Sequence, residues 1–367
     1  MRIAILSWRD LEHPEAGGAE VFAERTAATM AERGHDVVLF ASSFPGGSAH
    51  AERHGFTLAR AGGRFTVYPR GLWHVWRRRR RYDVVIDVQN GVPFWTPLVF
   101  AKPLLAVVHH VHREQWFTFF PRPVSSIGWF LESRVAPFVY RRQHYVTVSE
   151  ASRRELAAVG VDPARVSVVY SGNEAPEHVL ELEPDLVRGT RLACLGRLVP
   201  HKRVELAIDA VAALADTFDD IGLDVIGGGD WMDPLVEHAR RLGVSDRVVF
   251  HGHVSDDQKH ALLSQAAVLA MPSIKEGWGL TILEAGYHAV PTVAFRYAGG
   301  TQESVQDGHT GLLVDTDEEF IDGLRHLLTQ DDERAKLGAA AREFALRFDW
   351  DRTGNELTDL VERVAGS

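Results

Sequence analysis

Two carboxylates, Glu276 and Glu284, flank a Gly277-Trp278-Gly279-Leu280 turn that runs directly into an amphipathic segment. Gly277 and Gly279 permit close backbone approach, and the first turn of a helix carries free N–H groups at its positive end. Such amides suit phosphate oxygens, whereas carboxylates suit paired sugar or ribose hydroxyls. With Glu276 just before the helix and Glu284 about two turns along it, the two are expected to meet different parts of one extended, phosphorylated, hydroxyl-rich ligand. Either residue taken singly also fits a solvated glutamate at a helix start or on an outer face.

Cations follow the same logic. Gly196-Arg197-Leu198 ends an apolar run, and Lys202 follows across a Pro-His turn. Arginine offers a fork and lysine a point charge, so together they could neutralise a diphosphate leaving group without metal; as surface cations they would do nothing. Three glycine-rich turns have the same placement. Gly17-Gly18-Ala19-Glu20 follows the first apolar run, Gly227-Gly228-Gly229-Asp230 follows another, and Gly299-Gly300-Thr301-Gln302-Glu303 leads into a helix start. Each could expose amides to a ligand, and each is also a plain tight turn, with Asp230 as an N-cap and Glu303 either functional or capping. His109, His110 and His112 form a cluster in which 110 and 112 could share one side of an extended strand. No cysteine or helical histidine pair completes a zinc set, so core or cleft histidines are the better reading. Asp315/Asp317 and Asp349/Asp351 fall at helix starts, where capping explains them. No metal is expected.

What positions these groups is visible in the alternation of the chain. Apolar β-branched runs at Ile3 to Ser7, Val37 to Ala41, Val84 to Val88, Leu104 to Val108 and Tyr145 to Val148 read as buried parallel strands, with helices such as Ala19 to Arg33 and Ala151 to Ala158 between them. After Pro176 an acidic stretch, PEHVLELEPDLVRG, reads as a linker. The rhythm then restarts at Leu192 to Leu195, Leu223 to Ile226, Val248 to His251, Val268 to Met271, Thr292 to Phe295 and Leu312 to Val314. The expectation is an α/β protein of two Rossmann-like domains, residues 1–175 and 186–349, facing a central cleft, with a C-terminal helix at about 350–367 packing back on the first. Ligands of open α/β sheets bind beyond the carboxyl ends of the strands, where these motifs fall.

Composition narrows the classes. A chain of 367 residues, 45% hydrophobic, can bury two cores. The net charge of −10 hides an asymmetry: residues 1–170 hold 22 Lys/Arg against 15 Asp/Glu, and residues 171–367 hold 18 against 35. The halves therefore differ by sign, +7 and −17, and neither has the profile of a nucleic-acid binder. The single Cys194 suggests a reducing compartment. No apolar run has spanning length and the N-terminus turns polar too early for a secretory signal, so a cytoplasmic location is expected. One basic run stands apart: Trp73 and Trp76, one turn apart, precede Arg77 to Arg81, a combination suited to anionic headgroups at the inner face of a membrane and equally to a solvated face. Phe94, Trp95, Trp116, Phe117, Phe119 and Phe120 add apolar bulk, read mainly as core.

Taken together, Gly196-Arg197-Leu198 with Lys202, Glu276-x7-Glu284, and Gly299-Gly300 through Asp307-Gly308 to Gly311-Leu312-Leu313 resemble the retaining GT-B glycosyltransferases of family 4. The resemblance runs from Gly17-Gly18 to the region of Trp350 and is best in the second half. It implies transfer of a hexose from a nucleotide-diphosphate donor, UDP- or GDP-linked, with retention, no metal and no cofactor, to a glycan, a lipid-linked glycan or a small molecule. It implies catalytic roles for His109, Arg197, Lys202 and Glu276. Arg197 and Lys202 would hold the diphosphate, Glu276 the transferred sugar and Glu284 the ribose, with His109 pointing at the sugar. Donor contacts would come from Gly17, Gly18, Gly196, Gly228, Gly277, Trp278, Gly279, Leu280 and Glu284. The chain departs from the family's common His-Asp pair, since His110 follows His109. The resemblance further implies a front-face route in which the departing phosphate takes the acceptor's proton. Fold does not fix reaction, so an epimerase-like enzyme or a non-catalytic nucleotide- or glycan-binding protein is the alternative.

Overall fold

The computed structural model describes residues 1–174, 177, 179 and 189–366. The expected linker after Pro176 lies, apart from residues 177, 179 and 189, outside the described residues. The chain divides into two units, Met1–Gly172 with Asp349–Ser367, and Asn173–Phe348.

The first unit is built on an eight-stranded sheet. Its strands are β1 (Arg2–Leu6), β2 (Asp36–Ala41), β3 (His50–Arg53), β4 (Phe56–Arg60), β5 (Val84–Gln89), β6 (Leu104–Val108), β7 (His144–Thr147) and β8 (Val166–Val168), in the order β3-β4-β2-β1-β5-β6-β7-β8. All pairings are parallel except β3 with β4. The central strands are apolar on both faces, and β5 is buried along its whole length. Strand order advances leftward from β1 and rightward from β5, so right-handed crossovers place the intervening helices on opposite faces. One face carries helices Gly18–Glu32 and Trp350–Gly366. These are fastened by Gly354, where a Cβ would lie 2.2 Å from Thr29 Oγ1, and by Arg33, paired at 2.6 Å with Asp359 and at 2.9 Å with Glu362. On the other face Val67 and Val75 of helix Val67–Arg78 join Phe94, Phe100, Val111, Tyr140 and Leu156 in one core against Ala4, Leu6, Val85 and Ala106.

The second unit holds a six-stranded parallel sheet: β9 (Arg191–Leu195), β10 (Gly222–Ile226), β11 (Val248–Gly252), β12 (Val268–Met271), β13 (Thr292–Phe295) and β14 (Gly311–Val314), ordered β11-β10-β9-β12-β13-β14. The order reverses between β9 and β12. That switch point is where the two neighbouring loops diverge and leave a crevice. Helix Val204–Leu214 is apolar on nearly every side and fills the core against Leu192, Leu223 and Val225. The unit opens and closes with paired backbone, Asn173 N donating to Phe348 O at 3.1 Å. Within the first unit a Cβ on Gly172 would come 2.4 Å from Asp349 backbone.

Candidate functional site

The crevice at the β9/β12 switch point gathers most of the residues that the sequence singles out in the second half. Gly196, with φ of 145°, turns the chain off β9. Its loop is stitched to the glycine turn after β10: Gly196 N donates to Ile226 O at 3.0 Å and Leu198 N to Gly228 O at 2.9 Å. A side chain is impossible at two of those glycines, since a Cβ would lie 2.1 Å from Gly196 O at Gly227 and 2.3 Å from Leu198 O at Gly229. The glycines are thus required by loop-on-loop packing. Asp230 is not the N-cap of the following helix Met232–Leu242, a position taken by Trp231 without a side-chain bond.

Two cations project from the first loop. Arg197 is exposed and has no hydrogen-bond or ion-pair partner among the described residues. Lys202 lies at the end of a 3₁₀ turn, and its Nζ donates to Glu276 Oε1 at 2.6 Å. Beneath them a small cavity at the ends of β9 and β12 is lined by Cys194, Gly196, Arg197, Lys202, Ser273 and Thr281 among others. Burial pushes the Cys194 thiol up to about 12, which removes it as a nucleophile.

Glu276 is held by its backbone as well. Its N–H donates to Ala298 O at 2.8 Å and its carbonyl accepts from Gly300 N at 3.0 Å. Gly300 is needed there, because a Cβ would lie 2.3 Å from Gly277 O. Gly279, at φ of 105°, is the N-cap of helix Leu280–Tyr287, so the Gly277 to Leu280 backbone and the helix start lie beside the Lys202–Glu276 pair. The Trp278 side chain does not face this site: it is buried, with its ring 5.1 Å from Phe348. Only its backbone can serve a donor.

Glu276 and Glu284 are each paired with a different lysine. Glu284 lies inside the helix and accepts from Lys259 Nζ at 2.7 Å, Lys259 also reaching Asp256 at 2.9 Å. Burial raises the Glu284 carboxyl above its usual range despite that ammonium. Burial pulls Lys259 down, but the charge and hydrogen bond of Glu284 outweigh it and leave the ammonium above an ordinary lysine. Lys259 is the partner of Glu284 that sequence reasoning missed. It stands on a separate helix, Asp256–Gln265, and nothing in its local spacing announces Glu284.

In the first unit, Gly17 is the N-cap of helix Gly18–Glu32, and its N–H is already taken by Glu20 Oε2 at 2.8 Å. His109 follows β6 and packs edge-on to Phe22 of that helix at 5.2 Å. Its Nε2 is sealed from solvent without a hydrogen-bond partner among the described residues, and burial lowers its pKa to about 4, so the ring is neutral at physiological pH. His110 and His112 do share a side, with ring centroids 4.2 Å apart, and His112 Nδ1 lies 3.0 Å from Glu132. Among the described residues no group of three or more His, Cys, Asp or Glu side chains has metal-site geometry. Asp349 caps the last helix by accepting Arg352 N at 2.6 Å, whereas Thr316 rather than Asp315 caps helix Asp317–Thr329. Glu303 stands in the four-residue helix Thr301–Ser304, whose N-cap is Gly300.

Two family models account for both units: "Glycosyltransferase Family 4" over residues 16–175 and "Glycosyl transferases group 1" over residues 188–344. The chain belongs to the group 1 glycosyltransferases. A GDP-mannose-dependent alpha-(1-6)-phosphatidylinositol monomannoside mannosyltransferase of Mycobacterium tuberculosis is 34% identical over 60% of this chain and 59% of its own length. The Mycolicibacterium smegmatis enzyme of the same name is 28% identical over 95% of both chains. Sucrose-phosphate synthase from Thermosynechococcus elongatus matches the whole of both chains in three dimensions, with a TM-score of 0.82 at 19% identity. That likeness shows the fold, GT-B, with its two Rossmann-like domains. Within the second unit the crevice at the β9/β12 switch point gathers Arg197, the Lys202–Glu276 pair and the helix start at Gly279.

Proposed function

We propose that this glycosyltransferase moves a mannosyl group from GDP-mannose to a hydroxyl of a lipid-linked, inositol-containing mannoside, with retention and without a metal. The observation that carries the reading is the uncommitted Arg197 beside the Lys202–Glu276 pair, set against the helix start at Gly279. Arg197 offers its fork to the diphosphate. Lys202 leaves Glu276 for a phosphate oxygen, and Glu276, released, accepts from hydroxyls of the transferred sugar. Charge that develops on the leaving diphosphate is met by two cations and by amides already in place, the kind of preorganised electrostatic stabilisation that dominates such reactions. Glu284, held by Lys259, accepts from the ribose hydroxyls. The bond from the anomeric carbon to phosphate oxygen breaks, the bond to acceptor oxygen forms on the same face, and the acceptor's proton goes to the departing phosphate. His109, neutral, supplies a hydrogen bond rather than a charge. The donor's base and sugar and the class of acceptor come from the named relatives, and the same reading sets the protein in the cytoplasm at the inner face of a membrane.

The test is a thermal-shift screen of GDP-, UDP- and ADP-linked sugars followed by turnover with a lipid mannoside, because a ligand that binds only the native state raises its stability. Expected are stabilisation by GDP-mannose above the others and release of GDP that needs acceptor, with an α-linked product. Binding without acceptor-dependent GDP release would point to an epimerase-like or binding role. Absence of any nucleotide stabilisation would remove the site assignment.

A further inference from the structure

The first unit exposes ten large apolar side chains among its described residues, and nine fall between Phe65 and Phe138. Those segments cover one face of the eight-stranded sheet. Helices Gly18–Glu32 and Trp350–Gly366, on the other face, expose none. Two clusters dominate. In the first, Trp73 and Trp76 are 56% and 41% exposed and stack with centroids 4.8 Å apart, just ahead of exposed Arg77, Arg79, Arg80 and Arg81. In the second, Ile127 and Phe130 of helix Val124–Phe130 and Phe138 beyond it are 57%, 58% and 65% exposed.

Charge follows the same boundary. Residues 65–142 hold 12 Lys/Arg against 4 Asp/Glu, a net of +8 in a chain whose total is −10. Two of the four acids are spent internally: Asp87 is fully buried on Tyr140 and Thr96, and Glu132 accepts from His112 and Trp116. Arginines also lie on the exposed rings, Arg79 at 5.1 Å over Trp76 and Arg141 at 4.4 Å over Phe138. No described helix is long and apolar enough to cross a membrane.

We infer that this face binds the surface of an anionic phospholipid bilayer, the exposed apolar side chains entering the headgroup boundary and the arginines pairing with lipid phosphates. Aromatic and aliphatic groups rimmed by arginine match a surface that is oily below and negative above, and a protein partner would not call for so one-sided a charge. The second cluster extends the basic run visible in the sequence by a separate element on the same face of the sheet. The inference deepens the reading of a membrane-borne acceptor, and its test reads lipid binding rather than turnover.

Full-length protein is sedimented with vesicles of phosphatidylcholine alone or mixed with phosphatidylglycerol. Expected is binding that requires the anionic lipid, weakens with added salt, and falls roughly fivefold for each arginine removed in Arg77→Ala and Arg80→Ala. Ile127→Ser combined with Phe130→Ser should weaken it as well with an unchanged melting temperature, since both side chains are exposed. Equal binding to neutral vesicles, no binding, or full binding by either set of variants overturns the inference. So does a serine variant that turns a dimer into a monomer in ultracentrifugation while vesicle binding persists, which would make the apolar cluster a protein interface. Stabilisation by GDP-mannose, measured on the same preparations, reports separately on the donor site.

Discussion

Lys259→Met removes the ammonium that neutralises Glu284 while keeping most of the side chain's length and packing. The two side chains are 18% and 14% exposed and meet at 2.7 Å, so the carboxylate that remains is largely shut away from water. Removing one partner of a buried pair costs about 3–5 kcal/mol; the residual exposure here argues for the lower end, about 3 kcal/mol. The contact of Lys259 with Asp256 adds little, because Asp256 is 83% exposed. Burial already raises Glu284, and losing the cation raises it further. A carboxyl whose folded pKa exceeds its unfolded one favours the fold below the unfolded value and penalises it as pH climbs through the folded value, by about 1.4 kcal/mol per unit. The loss in Lys259→Met should therefore be large near pH ~8 and small near pH ~5. Urea denaturation of wild type, Lys259→Met, Glu284→Gln and the double variant at both pH values measures it, and the double variant should recover most of the stability. Donor affinity should not recover, since the carboxylate that would meet the ribose is gone. A loss under about 0.5 kcal/mol at the higher pH, or the same loss at both, would refute the buried-pair argument.

Arg197→Ala should leave stability within about 0.5 kcal/mol, the side chain being exposed and unpartnered among the described residues, yet weaken GDP binding by about 1.5–3 kcal/mol in calorimetry, the worth of a charge-assisted contact. Gly300→Ala places a methyl 2.3 Å from Gly277 O, so the Gly277 turn must shift; a loss of about 1–3 kcal/mol in melting experiments, together with weaker nucleotide binding, is expected. His109→Asn should change the acid limb of stability. Because the folded pKa of about 4 lies below the ordinary 6.5, the neutral ring's contribution is present above pH 6.5 and is lost as pH falls toward 4. The difference in melting temperature between wild type and variant should shrink over that interval; a constant offset would show that the ring titrates normally.

Eleven of the fourteen strands were legible as short, mostly apolar runs, even where a single polar side chain interrupts the run, as Asp87 and Asp224 do. The three that were missed have physical reasons. His50–Arg53 is a polar edge strand, Phe56–Arg60 continues it across a hairpin, and Val166–Val168 is too short to form a pattern. In the site, residues contiguous with a strand end or a helix start could be placed from sequence, as Arg197, Lys202 and Glu276 were. Lys259 could not, since its meeting with Glu284 depends on how two helices pack. The burial of the Trp278 indole was not legible: it sits inside a donor-type turn, but an indole lowers the free energy more by packing on Phe348 than by facing water, which leaves the backbone amide as the group that could meet a donor. Asp230 looked like a cap because it follows glycines, yet the preceding turn is committed to the Gly196 loop.

The chain leaves the first unit at Gly172 and re-enters it at Asp349, supplying helix Trp350–Gly366 only after the whole of the second unit. During synthesis the half that emerges first must therefore wait, its Phe22 and Thr29 flank uncovered, until helix Trp350–Gly366 has followed the interposed half out of the ribosome. The interposed half has all of its own strands and can finish earlier. Loss of helix Trp350–Gly366 would thus damage the unit made first and spare the one made between.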